Sequence, residues 1–393
     1  MAEIHSTPLK KTYFWNDEKT RGILYQIFTA AAVAFIGYYL IANVQENMAR
    51  QSIATGFDFL NKEAAFEIGE TPIKYSAADS YGRALFVGIL NTLKVSLVGM
   101  ILTTMLGTFI GVCTLSKNWL VAKIGTMYVE LFQNIPVLLQ LFFFYALFYE
   151  AFPGPRQALT PVSGVFLSNR GIDFAVPAPH FAWKFVGVAF VLACAIAFAV
   201  RYWARKRQEQ TGQQFPIVAT AAGLLLGLPL LSWIVCGAPT AMDMPSLQGF
   251  NIKGGYNVSP EFSALLVGLV LYTAAFVAQI VRAGIQSISH GQTEAAMSIG
   301  LKAKHVMSLV IFPQALRVIV PPLTSQLLNL TKNSSLAVAI GYPDFVQVAG
   351  TTINQTGQAV EGVALMMMVY LTLSLLTSAF MNWYNKKIAI IER

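Results

Sequence analysis

Residues 262–281 read FSALLVGLVLYTAAFVAQIV, an unbroken run without a charged side chain. An α-helix rises about 1.5 Å per residue, so about 20 such residues cross the ~30 Å hydrocarbon layer of a membrane. Lipid offers no hydrogen-bond partners, and a membrane span must therefore be a helix or part of a closed barrel. Barrel strands alternate apolar and polar residues. The continuous run predicts a transmembrane helix.

Similar runs recur along the whole chain. The sequence of 393 residues is 55% hydrophobic and only 12% charged, whereas about 25% of the residues in soluble domains are charged. We therefore predict an all-α integral membrane protein. Its transmembrane helices, about eight of them, lie near 23–43, 84–113, 124–149, 184–200, 217–236, 262–281, 312–340 and 362–382.

The distribution of Lys and Arg predicts the orientation, because cytoplasmic loops are enriched in both. With the N-terminus inside, the inner segments hold about twice as many of these residues as the outer segments. Both termini are therefore predicted to be cytoplasmic, and the first span is interpreted as an uncleaved anchor. The cluster at Arg201, Arg205, Lys206 and Arg207 is interpreted as a topology determinant beside anionic lipid, with a specific lipid or protein site as the alternative.

Two long segments, 44–83 and 151–183, are predicted to lie outside. The second contains five prolines and several glycines, which predicts an irregular surface rather than a folded domain. Within the first, residues 61–66 are interpreted as a short interfacial helix.

The inner loop between the sixth and seventh spans contains a helical motif. It reads TEAAMSIG from Thr293 to Gly300, and VIFP, ending at Pro313, follows after nine residues. Thr293 and Glu294 favour a helix start, the two alanines keep one face small, and Gly300 permits a sharp break. The motif predicts a short, stiff helix on the cytoplasmic surface that seats in a groove of another protein.

This loop resembles the EAA loop of ABC importer permeases, in which a glutamate and two alanines precede a glycine and a later apolar–proline pair. In that family the loop forms the coupling helix that docks into the cytoplasmic ATPase. The resemblance implies a type I ABC importer transmembrane domain. The ATPase-coupling residues that it implies are Glu294, Ala295, Ala296, Gly300 and Pro313.

Further stretches are similar to the polar amino-acid branch of these permeases, namely 91–97, 130–141, 313–317 and 331–336. An insertion with two extra helices, 151–260, interrupts the resemblance. Together with the added first span, it is most similar to the larger permeases of general L-amino-acid importers of Gram-negative bacteria, with a narrower amino-acid importer as the alternative. The predicted divisions are an N-terminal segment with the first span and outer loop (1–83), a permease domain (84–385) and a cytoplasmic tail (386–393).

The resemblance also implies the partners. The chain has no G-x-x-x-x-G-K-[ST] loop to hold nucleotide phosphates, and its four histidines have no ligand-like spacing. We therefore predict no enzyme activity, no catalytic or metal-binding residue and no bound cofactor; ATP-Mg belongs to the partner ATPase. The expected assembly imports L-amino acids across a bacterial inner membrane. It contains a second permease subunit in a heterodimer, two ATPase subunits and a periplasmic amino-acid-binding protein, and no nucleic acid.

Polar and ionisable residues inside spans are candidates for the translocation pathway. Lys332 could attract a substrate carboxylate; alternatively it snorkels, or it pairs with an acid such as Glu130. Pro136 is predicted to bend the third span, with Gln133, Pro136 and Gln140 on one helical face. The candidate pathway residues are Lys332, Asn333, Ser334, Ser335, Gln133, Asn134, Pro136, Gln140 and Glu130.

Two other function classes are compatible with a multi-span chain. An ion-coupled secondary amino-acid transporter would use Glu130, Lys94 and Lys332, but the sequence shows no convincing inverted repeat, and such a carrier has no obvious use for the loop at Glu294. A membrane scaffold would not need polar residues inside its spans. Lys94, near the outer end of the second span, is interpreted as snorkelling to the interface.

Overall fold

The computed structural model describes residues 18–50 and 55–388, and the chain is mostly helical. Seven helices in the described chain are long and apolar enough to cross a membrane, or eight if a helix pair bent by 101° is counted as one span. These findings confirm the predicted helical membrane fold. The predicted cytoplasmic residues 1–17 and the end of the tail, 389–393, lie outside the described residues.

Twelve α-helices are present in the described part of the chain. A π-helical turn (Leu147–Ala151) continues α4, another (Val306–Ile311) joins α9 to α10, and a 3₁₀ helix (Ser334–Ile340) continues α10. The helices are α1 (Glu18–Arg50), α2 (Tyr81–Thr114), α3 (Trp119–Asn134), α4 (Val137–Ala146), α5 (Ala182–Thr211), α6 (Ile217–Val235), α7 (Pro260–Gln286), α8 (His290–Ser298), α9 (Ala303–His305), α10 (Phe312–Asn333), α11 (Phe345–Thr356) and α12 (Ala359–Ile388).

The centre of the fold is the contact between α2 and α7, the most extensive helix pair in the described chain. At Gly107 the two backbones approach closely. A Cβ at this position would lie 2.5 Å from Cβ of Val277 and 2.9 Å from the carbonyl oxygen of Ala274. Small residues commonly permit such close packing in lipid, where the hydrophobic effect does not drive helices together. A larger residue at Gly107 would therefore force α2 and α7 apart.

Residues 55–80 form an ordered cap on the N-terminal end of α2, the end predicted to lie outside. The interfacial helix predicted at 61–66 is wrong, because Ala65 has a left-handed backbone (φ 56°) and Glu63 pairs with Ser80 in a β-bridge. Apolar side chains of this segment are buried in the protein rather than in the membrane interface. The cluster that they form with α2 and α11 includes Phe59, Ala64, Ile68, Tyr81 and Phe345.

The insertion between α4 and α7 folds into small antiparallel sheets. The irregular surface predicted at 151–183 is therefore wrong. One sheet has the strand order β1-β2-β3-β8, and β4 pairs with β5 and β6 with β7. Pro161 is accommodated because β1 is an edge strand. The strands are β1 (Leu159–Val162), β2 (Val165–Ser168), β3 (Gly171–Phe174), β4 (Val176–Pro177), β5 (Met242–Asp243), β6 (Ser246–Gln248), β7 (Asn251–Lys253) and β8 (Tyr256–Val258).

Helices α5 and α6 form a hairpin that comes after strands β1–β4 and before strands β5–β8 along the chain. They pack on each other, and neither has an extensive contact with another described element. Helix α1 is similarly open, since Met48 alone is buried among its described residues. The extra spans therefore stand apart from the bundle that α2, α3, α4, α7, α10, α11 and α12 form.

Candidate functional site

The predicted coupling motif forms helix α8, which follows the C-terminal end of α7. The helix begins at His290, before the predicted start at Thr293. Ser289 has the extended backbone of an N-cap residue (φ −61°, ψ 141°), although its side chain makes no capping bond. Serine is a preferred N-cap residue, so Ser289 was the available signal for the earlier start.

Gly300 ends this helix with a left-handed backbone (φ 85°). Its N–H donates to the carbonyl of Met297 at 2.9 Å, and the N–H of Leu301 donates to the carbonyl of Ala296 at 3.2 Å. The two bonds form a Schellman motif, which satisfies carbonyls at the end of a helix. Because a Cβ disfavours this conformation, the predicted break at Gly300 has a specific cause.

Most of α8 is open to solvent. Ala296 is buried, whereas Glu294 and Ala295 are exposed. The apolar side chains of Met297 and Ile299 are 50% and 77% exposed. Apolar side chains grouped on an exposed surface commonly mark a protein-binding site. The helix therefore presents an acidic group and apolar contacts that the described chain does not cover.

Pro313 lies at the start of α10, directly after the π-helical turn. Proline lacks an N–H and its ring crowds the carbonyl four residues earlier, which here belongs to Leu309. The π-helical turn is wider than an α-helical turn, so it leaves room for the proline ring where the hydrogen bond is missing. Gln314 donates its side-chain amide to the carbonyl of Val310 at 2.9 Å and to the side-chain oxygen of Gln292 in α8 at 3.4 Å. The irregular start of α10 is thus linked directly to the motif helix.

The third span breaks at Pro136. Its two parts, α3 and α4, differ in direction by 101°, which confirms the predicted bend. Gln140 is buried, and its side-chain amide donates to the carbonyls of Phe132 and Ile135, both at 2.9 Å. It thereby supplies hydrogen bonds that the broken helix loses. The expectation that Gln133, Pro136 and Gln140 share one helical face is wrong, because the break separates them.

Helix α3 carries polar side chains on an open surface. Glu130 and Asn134 are exposed, and the Asn134 amide donates to the backbone carbonyl of Glu130 at 2.7 Å. No ion pair joins Glu130 to a described residue. Gln133 is partly buried, with a side-chain nitrogen that lacks a partner in the described chain. An ionisable group inside a span is costly in contact with lipid, so this face of α3 suits a protein partner or an aqueous pathway.

The polar residues at the end of α10 point in different directions. Lys332 is exposed and lines an open groove of about 470 Å³ between α10 and α12, together with Tyr370. Asn333 lines a separate cavity between α10 and α7. The described chain contains no ion pair between Lys332 and Glu130.

The two serines that follow are hydrogen-bonded within their own helix. Ser334 donates to the carbonyl of Thr331 and Ser335 to the carbonyl of Lys332, both at 2.7 Å. Their hydroxyl hydrogens are therefore engaged. Ser334 is buried and Ser335 is partly exposed in the groove beside Lys332.

The cavity beside Asn333 has a volume of about 260 Å³ and is lined by residues from the middle of α7. Thr273 on its wall is the central residue of α7, 13 residues from either end. The Thr273 hydroxyl is buried and has no hydrogen-bond partner in the described chain. The lining is polar but uncharged, apart from one phenylalanine: Tyr272, Thr273, Phe276, Gln326, Asn329 and Asn333.

Of these residues, the sequence analysis predicted only Asn333 to line the pathway. Gln326 and Asn329 could have been found from their spacing, because Gln326, Asn329 and Asn333 are three and four positions apart and therefore share one face of a helix. Tyr272 and Thr273 gave little signal, because they lie inside the apolar run of α7.

Lys94 has partners within the protein. Its ammonium forms an ion pair with Glu70 of the cap, donates to the hydroxyl of Tyr256 at 2.9 Å and lies 4.3 Å from the ring centre of Phe262. Glu70 also accepts a hydrogen bond from the Ser259 hydroxyl at 2.7 Å. The interpretation that Lys94 snorkels is therefore wrong: it connects the cap, the insertion and the start of α7.

Comparisons with known proteins agree with this arrangement. Residues 103–390 match the family described as "Binding-protein-dependent transport system inner membrane component". The chain is 47% identical to the general L-amino acid transport system permease protein AapQ of Rhizobium johnstonii, covering 99% of each chain. It is also 47% identical to the putative amino-acid ABC transporter permease protein YhdX of Escherichia coli, covering 100% of each chain.

A third relative is the glutamate/glutamine/aspartate/asparagine transport system permease protein BztB of Rhodobacter capsulatus, which is 42% identical over 96% of each chain. These full-length relatives favour an ABC permease over an ion-coupled secondary transporter. The sequence resemblance to general L-amino-acid permeases is confirmed. The chain therefore belongs to the inner membrane components of binding-protein-dependent transport systems, as a permease of the amino-acid ABC transporters.

Proposed function

We propose that this permease passes a broad range of L-amino acids through the polar cavity between α7 and α10. The observation that carries this proposal is the lining of the cavity, which offers hydroxyl and amide groups but no charge. Such groups can donate to the carboxylate and accept from the ammonium that all amino acids share. Without a charged wall, the cavity does not select between acidic, neutral and basic side chains. The name of the relative AapQ, a general L-amino acid permease, supports the same breadth.

The cavity has about nine times the ~30 Å³ that one water molecule occupies in the liquid. It therefore has room for a single amino acid of moderate size. The unpaired hydroxyl of Thr273 lacks a hydrogen-bond partner until a substrate or water supplies one.

A second permease subunit, in a heterodimer, completes the pathway in this proposal. Glu130, Asn134 and Lys332 are exposed within spans, and contact with a partner or with water avoids the cost of exposing them to lipid. The exposed side chains of α2 and α12 are instead apolar, as at Leu97 and Leu371, and suit contact with lipid. Gln133 lies on this face of α3, and Pro136 and Gln140 shape the break beside the partner.

The open face of α8 docks into one of two partner ATPase subunits, with Glu294, Ala295 and the apolar side chains of Met297 and Ile299 as the contacts. Gly300 and Pro313 set the angle between α8 and α10, so that movement of the ATPase reaches the cavity wall. ATP-Mg is bound by the partner, and the present chain is a non-catalytic subunit of a bacterial inner-membrane complex. A periplasmic amino-acid-binding protein delivers substrate to the outer cap.

Purification of the intact complex and uptake measurements test the proposal. We expect a second permease and an ATPase to co-purify with this chain. Proteoliposomes of that complex, with binding protein and ATP, should take up glutamate, leucine and arginine with rates within roughly tenfold of one another. Uptake confined to one charge class would overturn the proposed breadth. Uptake that persists without any ATPase subunit would contradict the coupling role of α8.

A further inference from the structure

The hairpin of α5 and α6 places a group of cations at a defined depth. Helix α6 has 19 residues, a length of about 28 Å that matches the hydrocarbon layer. Its first residue, Ile217, therefore marks the inner boundary of that layer. Phe215, just before it, packs edge-on against Trp203 of α5, with ring centres 5.5 Å apart. Trp203 consequently lies at the same boundary.

Four cations lie within about 6 Å of Trp203 along the helix axis, because each is at most four positions away: Arg201, Arg205, Lys206 and Arg207. The polar headgroup layer on each side of a membrane is about 5–8 Å thick. Arg205, Lys206 and Arg207 lie about 3–6 Å beyond Trp203 toward the cytoplasm, level with the lipid phosphates. Arg201 lies about 3 Å on the hydrocarbon side of Trp203, and its long side chain reaches the same level by snorkelling.

Arg201 and Arg205 are exposed one turn apart on the same face of α5. No ion pair joins either side chain to a described residue. Arg207 is held differently, since its guanidinium lies 5.3 Å from the Trp203 ring centre and donates to the Gln213 side chain at 3.1 Å. Two free, neighbouring guanidinium groups can each form paired hydrogen bonds with phosphate oxygens.

We propose that Arg201 and Arg205 form a binding site for the phosphate of an anionic phospholipid in the inner leaflet. Lys206 adds positive charge, and Arg207 holds the turn that positions the helix end. Lipid is favoured over a cytoplasmic protein as the ligand, because the residues beyond the cations, 208–214, contain a single charge, Glu209. Those residues project further into the cytoplasm and would meet a soluble partner first. The hairpin also stands apart from the motif helix α8.

Native mass spectrometry of the purified, complete complex tests this site. The complex is titrated with phosphatidylglycerol, with phosphatidylcholine and with inorganic phosphate. We expect preferential binding of phosphatidylglycerol, and R201Q/R205Q should weaken that binding roughly 30-fold, or about fivefold for each cation. The matched control is K386Q/K387Q at the inner end of α12, which should leave this binding unchanged. R201K/R205K retains the charge that orients the span and should give an intermediate affinity, since the paired hydrogen bonds are lost.

If R201Q/R205Q and K386Q/K387Q weakened phosphatidylglycerol binding equally, the proposal would be overturned, because the lipid would then respond to general surface charge. Equal binding of phosphatidylcholine would exclude recognition of an anionic headgroup. Equal occupancy by inorganic phosphate would show a site for the free ion instead of a lipid. Loss of the ATPase subunit from R201Q/R205Q, with lipid binding intact, would assign the arginines to a protein contact.

Discussion

Lys332 and Asn333 are consecutive residues of α10, yet their side chains line separate spaces. Asn333 faces the uncharged cavity beside Thr273, whereas Lys332 faces the groove beside Tyr370. Neighbouring positions on a helix differ by about 100° in direction. Substitutions at the two positions should therefore affect transport differently.

The substitution Asn333→Asp should change the charge preference of the transporter. A carboxylate in the cavity attracts a basic side chain and repels an acidic one, so the ratio of arginine uptake to glutamate uptake should rise roughly tenfold or more. The control is Asn354→Asp, the same change at an exposed position of α11 outside the cavity lining. An unchanged ratio in an assembled, active Asn333→Asp complex would remove the cavity from the pathway.

The substitution Lys332→Met tests whether the exposed ammonium guides the α-carboxylate. Because every amino acid has that carboxylate, uptake of acidic, neutral and basic substrates should fall together. Lys332→Arg should retain part of the activity, since the charge survives in a different geometry. Uptake is measured per assembled complex with binding protein in excess. A loss confined to acidic substrates would show that Lys332 contacts the side chain, and a loss of assembly alone would show a structural role.

Replacement of Gly300 should uncouple the transporter. Gly300→Val forces a β-branched residue into a left-handed conformation at a cost of roughly 1–3 kcal/mol, and α8 should lose its fixed end. We expect normal assembly but a roughly tenfold smaller stimulation of ATP hydrolysis by loaded binding protein. The matched control is Gly291→Val within the same helix, where the backbone is not left-handed. Equal effects of the two substitutions would assign the loss to bulk on α8 rather than to its break.

The sequence predicted those features that depend on neighbouring residues. The run at 262–281 lies within α7, because twenty apolar residues suffice to specify a span. Gly300 was predicted to end the motif helix, since its effect is conformational and local. The bend at Pro136 follows in the same way from a missing backbone N–H.

Features that depend on distant residues were missed. Strand β3 pairs with β8 across two intervening helices, as in Phe174 opposite Tyr256, and short strands near prolines give little local signal of such pairing. The ion pair of Lys94 and Glu70 likewise joins segments whose contact requires the cap to be folded. The cavity at Thr273 arises only when α7 and α10 pack together, and two of its five polar lining residues, Tyr272 and Thr273, were hidden in an apolar run.

The broken third span should depend on the side chain of Gln140. Gln140→Met has a similar shape but no donor, so the carbonyls of Phe132 and Ile135 lose their hydrogen bonds, each of which contributes about 0.5–1.5 kcal/mol. We expect a lower thermal stability of the complex and a different distance between spin labels on α3 and α4. Gln133→Met is the control, because the Gln133 side-chain nitrogen has no partner in the described chain. A wild-type distance and stability in Gln140→Met would show that Pro136 alone maintains the break.

The ion pair between Lys94 and Glu70 should hold the outer cap on the bundle. Both side chains are mostly buried, with exposed fractions of 24% and 13%. Removing one partner of such a pair leaves an uncompensated charge and costs about 3 kcal/mol or more. Lys94→Met should therefore accelerate hydrogen exchange in residues 55–80 and lower the thermal stability of the complex.

The double substitution Lys94→Met with Glu70→Gln should recover most of both losses, because neither charge then remains. Lys62→Met changes an exposed lysine of the same cap and should have little effect on either measurement. If the double variant were as unstable as Lys94→Met, the contacts of Lys94 with Tyr256 and Phe262, rather than the ion pair, would be what holds the cap.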